Sequence, residues 1–312
     1  MPEGDTVWLT ARRLRRALAG RVLTASDFRT PRLATTDLRG RTVDDVVSRG
    51  KHLLIRVGPS PGPASCGPAA RPPGSSAPPP GPSAAAPPGV APLADVPAPV
   101  QDGARDGGLT IHVHLLMDGR WRIRASGPRP PRDHRLRAVL ANAEWQALGY
   151  SLGILEIFPT AEESRVVDRL GPDLLDPDWS PALAAEAVRR LSLRPERPIG
   201  EALLDQSLLA GVGNVYKAEI LFLRGVHPWT AVRDVPDLPG LVALSHRLLD
   251  ANKERHGHIT TGDRRPGREH WVYGRAGRAC RRCGTRIRRA DQGSDAGERV
   301  TFWCPSCQPP PA

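Results

Sequence analysis

The sequence predicts an α+β chain in three parts: a mostly β first half led by one helix, an all-helical middle and a small cysteine-rich end. Three observations carry this. Apolar residues alternate through 42–57 and 109–158, as in strands with one buried face. After about residue 160 the spacing changes to a helical period, with Gly, Pro and Asn between the runs. Residues 265–312 are Arg-rich and hold four of the five cysteines.

The size and charge bound the rest. At 312 residues and 33.7 kDa the chain has room for two or three small domains. Lys plus Arg number 44 against 33 Asp plus Glu, a net charge of +11 and a pI near 10.4. Such a balance suits a polyanion better than an acidic substrate or a cationic peptide. No apolar run approaches the roughly 18 residues of a spanning helix, which argues against a membrane protein. The start, MPEGD, lacks a basic-then-apolar leader, so the expected location is cytoplasmic. Five cysteines cannot form a dense disulfide scaffold in a chain of this length.

In order along the chain, the first 20 residues read as a helix with Val7, Ala11, Leu14 and Leu18 on one face and Asp5 or Thr6 as its cap. Strands follow at 42–49 and 52–57 around a turn at Gly50-Lys51. Residues 58–108 stand apart: 40 of the 51 are Pro, Gly, Ala or Ser, too little apolar surface to offset ordering entropy. They read as a disordered insertion, with Cys66 a bystander inside it. Beyond it, 109–116 and 120–125 read as a hairpin with Met117-Asp118-Gly119 at its tip, and strand-like segments continue from 135–143 to 154–158. The first domain is therefore placed at 1–158. Helices are expected at 181–193, 198–210, 214–224 and 238–256, forming a second domain at 159–260, and the tail at 265–312 is the third.

The most specific motif is Cys280-x2-Cys283, twenty residues, then Cys304-x2-Cys307. Two such knuckles match a four-thiolate zinc site on a β-hairpin, with a pair of disulfides or a redox pair as the alternatives. Four thiolates leave no open position, so one structural Zn2+ is expected. The hairpin between them is rich in arginine, which suits phosphate contact, or else is only a solvated basic face. In LLDQSLLAGVGNVYKAEILF (203–222), Gly211-Val212-Gly213 reads as a tight turn between helices with Asn214 as N-cap. Free N–H groups at such a helix start attract an anion, and a DNA phosphate with the Asn214 amide as added donor fits. At the N-terminus, trimming of Met1 would expose Pro2 as a secondary amine, able to attack an aldehyde-level carbon, with Glu3 beside it to move protons. Of the 44 basic residues only Lys51, Lys217 and Lys253 are lysines, which makes each a candidate for amine-specific work.

Together these motifs resemble the formamidopyrimidine-DNA glycosylase and endonuclease VIII family of base-excision repair enzymes. The resemblance rests on MPEGDT at the start, SRGKHLL at 48–54, HLLMDG at 114–119, GPDLL at 171–175, LLDQSLLAGVGNVYKAE at 203–219 and RVTFWCPSCQ at 299–308. It implies an N-terminal β-sandwich with a leading helix, a helix–two-turn–helix domain and a zinc ribbon, with damaged double-stranded DNA in a basic cleft between the first domain and the other two. It implies Pro2 as the nucleophile at the sugar C1′, forming a Schiff base, and Glu3 as the acid that protonates the ring oxygen. Lys51 would contact phosphate and assist proton transfer. Asn214 and Arg299 would grip the phosphates flanking an extruded nucleotide, and Met117 would fill the void left in the duplex, where a core-packed Met117 is the plainer alternative.

The implied enzyme is a bifunctional glycosylase and abasic-site lyase, a monomer without nucleotide cofactor, cutting by β- or β,δ-elimination. PEGDT looks like the endonuclease VIII side, and no Arg-Arg-Phe loop of the 8-oxoguanine side stands near Gly149–Gly153, which favours oxidised pyrimidines. Asp5 and Thr6 depart from that side's usual Pro-Glu. The rival readings are a purine-directed glycosylase of the same family, a non-catalytic binder of damaged DNA, and a zinc-ribbon RNA or transcription factor.

Overall fold

The computed structural model describes residues 2–59, 107–293 and 298–311. Cys66 and the bulk of the expected insertion at 58–108 lie outside them.

Helix α1 (Gly4–Leu18) opens the chain, and Val7, Ala11, Leu14 and Leu18 are all buried, as their spacing implies. The expected cap is not found. Glu3 is the N-cap residue, and Asp5 lies inside the first turn, buried. The carboxylates of both are engaged elsewhere, because the helix start is docked into the protein rather than open to water.

Two four-stranded antiparallel sheets face each other. One runs β1-β6-β7-β5, from β1 (Ala25–Phe28), β5 (Arg120–Ala125), β6 (Leu136–Ala141) and β7 (Trp145–Tyr150). The other runs β2-β3-β4-β8, from β2 (Val43–Arg49), β3 (His52–Val57), β4 (Leu109–His114) and β8 (Ile154–Pro159). Leu53, Ile55, Ile111 and Val113 from the second sheet, Leu140 and Ala147 from the first, and the apolar face of α1 share one core. Burying each such aliphatic side chain contributes about 2 kcal/mol.

The turn at Gly50-Lys51 is as expected, with Arg49 opposite His52. The second expected hairpin is not formed. β4 pairs with β3 and β8, whereas β5 pairs with β7 in the facing sheet. Residues 115–119 thus cross between layers, with Leu116 at φ +50°. Alternation marks a strand but not its partner, and here the two apolar faces pack across the core instead of lying side by side.

Val57 and Leu109 are directly opposite, so the chain leaves and rejoins the sheet at one place on either side of the insertion. Arg41 ties the two ends, donating from Nη1 to the carbonyls of Gly58 and Gly107 at 3.0 Å each. Loop-closure entropy grows slowly with length, so such a clamp tolerates a long excursion.

The helical part holds α2 (Ser164–Val167), α3 (Pro181–Ser192), α4 (Ile199–Ala202), α5 (Asn214–Arg224) and α6 (Leu238–Asn252). Ser180 caps α3 and Asp237 caps α6, each followed by Pro in the first turn. The helix expected at 198–210 stops at Ala202. There Asp205 accepts from the Ser207 N–H and hydroxyl, and Gln206 bonds Leu204, Gly211 and Val212, so side chains compete with the helical ladder. Asn214 is the first helical residue and Gly213 its N-cap.

Helix α5 is buried on every side from Asn214 to Phe222. Tyr216, Ile220 and Leu221 enter the helical core, whereas Ala218 and Phe222 pack against Val272, Cys280, Ile287 and Cys304 of the C-terminal ribbon. The ribbon's hairpin pairs β9 (Arg288–Gln292) with β10 (Arg299–Trp303). Glu219 secures the approach to it, accepting the N–H groups of Trp271, Val272 and Tyr273 at 2.7–2.8 Å.

Candidate active site

The N-terminal segment is pinned against the glycine turn. The Gly4 N–H donates to the Gly211 carbonyl at 3.0 Å. A Cβ on Gly4 would stand 2.9 Å from the Gly211 Cα, and one on Gly213 would stand 2.3 Å from the Glu3 carboxyl carbon. Glycine is therefore needed for close approach, as its position suggested.

The anion at the start of α5 is not left to a ligand. Glu3 occupies it, accepting from Val215 N–H at 2.7 Å, Gly213 N–H at 2.8 Å and Tyr216 N–H at 3.3 Å. The expectation of a phosphate on those amides is corrected accordingly: a carboxylate from the same chain reaches them first. The Asn214 side-chain amide donates one hydrogen bond to the Val300 carbonyl at 2.8 Å, tying α5 to β10 while Asn214 stays on the cavity wall.

Pro2, Lys51, His114, Leu116 and Met117 from the sandwich line one cavity of about 600 Å³, together with Asn214, Lys217, Gln292 and Arg299 from the other two parts. The cavity thus lies between the first part and the rest. Of the residues singled out by sequence, Pro2, Lys51, Met117, Asn214 and Arg299 all stand on its wall. Glu3 lies behind Pro2, fully buried. Met117 is 62% exposed, so the core-packed alternative is wrong. Its neighbour Leu116 is 48% exposed and doubles the apolar tip.

The electrostatics follow from burial. Desolvation pushes the Glu3 carboxyl above its ordinary range, opposed by His258, Lys51 and the Val215 amide. Burial holds the Lys51 amine below its usual range, Glu3 opposing and Arg299 adding to the effect. Lys217 is pushed down to about 8, chiefly by burial, and donates to the Thr301 hydroxyl at 2.6 Å. His52 and His114 are lowered to about 3 and about 4, burial first, so both imidazoles are neutral near pH 7. The site therefore sets a carboxyl shifted toward its protonated form beside lysines shifted toward the neutral amine.

Three supports were not legible as such. Asp173, inside GPDLL, accepts from the Gly50 N–H at 2.8 Å and the Leu175 N–H at 3.0 Å, seating the Lys51 turn on the helical part. Lys217 had only the scarcity of lysine as a signal. Leu116 had none apart from its place beside Met117.

Cys280, Cys283, Cys304 and Cys307 bring their sulfurs within 4.8 Å of one another, with Cys283 and Cys304 3.4 Å apart. That is too far for a disulfide. A tetrahedral ion with metal–sulfur bonds of about 2.3 Å sets its ligands roughly 3.8 Å apart, so the quartet fits one metal ion. Among the described residues no helix is long and apolar enough to cross a membrane.

The course of the chain is that of a known fold. It superposes on Lactococcus lactis Fpg, solved as a complex with DNA containing an abasic site, with a TM-score of 0.68 over 99% of this chain and 100% of that one, at 22% identity. MutM, solved with DNA containing carbocyclic 8-oxo-G, gives a TM-score of 0.67 over 98% and 99%, also at 22% identity. The fold is thus Fpg-like: a β-sandwich with its helix, an H2TH domain and a terminal four-cysteine cluster.

Sequence narrows the class. The formamidopyrimidine-DNA glycosylase N-terminal domain matches residues 1–149 and the H2TH domain of the same enzymes matches 170–238. "Probable endonuclease 8 2" of Streptomyces coelicolor is 48% identical, over 100% of this chain and 95% of its own length. "Endonuclease 8 2" of Mycobacterium bovis is 45% identical over 99% and 100%, and "DNA-(apurinic or apyrimidinic site) lyase Nei2" of Mycolicibacterium smegmatis is 43% identical over 99% of each chain. The chain belongs to the formamidopyrimidine-DNA glycosylase and endonuclease 8 family, beside its endonuclease 8 2 members.

Proposed function

We propose that this chain is a bifunctional DNA glycosylase and abasic-site lyase of base-excision repair, acting on oxidised bases, pyrimidines foremost, in double-stranded DNA. The observation that carries the reading is one cavity wall shared by Pro2, Lys51, Asn214 and Arg299, with the buried Glu3 carboxyl next to Pro2. The names of its bacterial relatives, an abasic-site lyase among them, support the same reaction. The pyrimidine preference rests on the PEGDT start and on the missing Arg-Arg-Phe loop.

With Met1 removed, the Pro2 nitrogen attacks C1′ of an extruded nucleotide. The N–C bond forms, the glycosidic bond breaks with its electron pair leaving on the base, and the Pro2 N–H proton passes to that base. Glu3 gives its proton to the ring oxygen as the sugar opens, producing an iminium. Burial of Glu3 favours the protonated form that this step requires. The iminium acidifies C2′–H; once that proton leaves, the electrons expel the 3′ phosphate (β-elimination), and where the reaction runs on to β,δ-elimination a second step releases the 5′ phosphate. Lys51, Asn214 and Arg299 hold the flanking phosphates, and Lys51 passes protons. Met117 enters the gap left in the duplex. The thiol quartet holds one structural Zn2+, which supplies stability that so small a ribbon lacks; no step passes through it. The protein acts as a monomer in the cytoplasm.

Borohydride trapping on DNA with one abasic site tests the reading, with Pro2→Gly and an N-terminally extended protein as controls and the N-terminus verified by intact mass. A covalent adduct mapped to Pro2, and lost in both controls, is expected. No adduct from correctly trimmed, metal-loaded protein that still binds the DNA overturns it in favour of a non-catalytic binder.

A further inference from the structure

A row of buried polar side chains runs from α5 into the C-terminal hairpin. The Lys217 amine donates to the Thr301 hydroxyl at 2.6 Å. That hydroxyl stands 3.2 Å from Gln292 Oε1 and 3.3 Å from the Arg299 carbonyl, both acceptors for its proton. The Gln292 amide donates in turn to the Pro228 carbonyl at 2.8 Å. Lys217, Thr301 and Gln292 are all buried. An ammonium only donates and a carbonyl oxygen only accepts, so a hydroxyl between them satisfies both.

Burying a lysine is a costly way to join two parts that apolar residues could join as well. Its placement gives it a second use. Asn214 and Lys217 lie one turn apart on α5 and hold consecutive residues of β10, Val300 by its carbonyl and Thr301 by its hydroxyl. Arg299 is the next residue of that strand and lies directly opposite Gln292. Helix α4 backs the same point, where a Cβ on Gly200 would stand 2.4 Å from Gln292 Oε1. Among the described residues the Arg299 guanidinium bonds only the carbonyl of its neighbour Glu298, so its place depends on where the strand is held. We propose that Lys217, Thr301 and Gln292 are positioning residues, whose hydrogen-bonded row sets the hairpin against α5 and thereby aims Arg299 at a DNA phosphate.

The inference rests on Arg299 gripping a phosphate, so the test reads that contact separately. The full, metal-loaded chain is titrated with duplex DNA carrying one tetrahydrofuran analogue of an abasic site, at salt from about 50 to 200 mM. Arg299→Ala is expected to weaken binding about tenfold and to flatten the dependence of log Kd on log salt by about one unit. Thr301→Val keeps every charge and nearly the same shape but removes the hydroxyl. It is expected to weaken binding about threefold and to flatten the salt dependence in the same direction, because a misaimed Arg299 no longer displaces its counterion. Thr301→Ser keeps the hydroxyl and restores both values. A loss of folded protein alone would lower the active fraction and leave the salt dependence unchanged.

Thr301→Val leaves the Lys217 amine without its partner, so a second variant, Lys217→Met with Thr301→Val, removes both ends of that bond, a change that buried pairs tolerate better. In either background, adding Arg299→Ala is expected to cost clearly less affinity than it costs in wild type, since the contact is already weakened. If Arg299→Ala in wild type changes neither Kd nor its salt dependence, the phosphate reading of Arg299 falls and the positioning row falls with it. If Arg299→Ala weakens wild type but its cost is undiminished in both backgrounds, or Thr301→Ser behaves as Thr301→Val, the positioning row alone is overturned and the role of Arg299 stands.

Discussion

The carboxylate of Asp173 accepts the amide N–H of Gly50 at 2.8 Å, joining the β2–β3 turn to the helical part across 123 residues of chain. Gly50 sits at φ +56°, and a Cβ there would stand 3.0 Å from the Ala210 Cβ. A backbone that only glycine adopts readily thus presses Lys51 against the cavity, and one buried carboxylate holds it there.

Asp173→Ala is expected to leave two buried N–H groups unpaired, at a cost of about 1–3 kcal/mol each. Urea denaturation reads the loss of stability. Cleavage at abasic sites is expected to fall further than the unfolded fraction explains, because Lys51 loses its seat. Activity that tracks the folded fraction alone would contradict that role.

Gly213→Ala places a methyl 2.3 Å from the Glu3 carboxyl carbon, while the backbone at Gly213 (φ −121°) suits any residue. The expected result is at least a tenfold drop in excision, or about 1.4 kcal/mol in the barrier, together with a lower melting temperature from the amides that lose Glu3. Gly107→Ala, where a Cβ meets nothing within 4 Å, is the control. Equal rates for the two variants would show that Glu3 does not need its present place.

Lys217 gives a stability signature in alkali. Its amine falls from 10.5 to about 8 on folding, so between those values the unfolded chain binds more protons and stability rises with pH. Below about 8 the lysine is charged in both states and the full cost of burying it is present. Lys217→Met removes that cost, so its stability relative to wild type is greater at pH 7 than at pH 10.5 by about 3 kcal/mol. Chemical denaturation at the two pH values measures it; a constant difference would refute it.

Cys283→Ser removes one of four thiols from a ribbon with a small core. Elemental analysis is expected to show less than one bound zinc per chain, and chelation of the wild type should lower its melting temperature. Full metal content in the variant would mean that the ion is held elsewhere.

Leu116 and Met117 are exposed, so replacing both by Ser should cost under about 0.5 kcal/mol of stability. Excision from duplex DNA is expected to fall more than excision from a single strand, where no gap needs filling. An equal fall on both substrates would remove the wedge role.

Much of this protein was legible because its signals are local. The helical spacing of Val7, Ala11, Leu14 and Leu18 names a buried face, the two Cys-x2-Cys pairs name a metal site, and the +11 charge suggests a polyanion. The motif order identified the family before any geometry was known. The partners of β4 and β5 were not legible, because alternation is satisfied equally by a hairpin or by two facing sheets. The early end of α4 depended on how Asp205 and Gln206 bond their neighbours.

The sequence by itself determined which chemical groups this protein carries and the periodicities that decide where helices and strands form. Only the tertiary structure decided what each group faces. Glu3, rather than a phosphate, fills the start of α5, because α1 is docked within reach of those amides. Asp5 is a buried partner of Tyr216 and His258, not a helix cap, because residues 211 and 253 positions away fold back onto it. Contact between distant residues depends on how whole elements pack, and no local pattern encodes that.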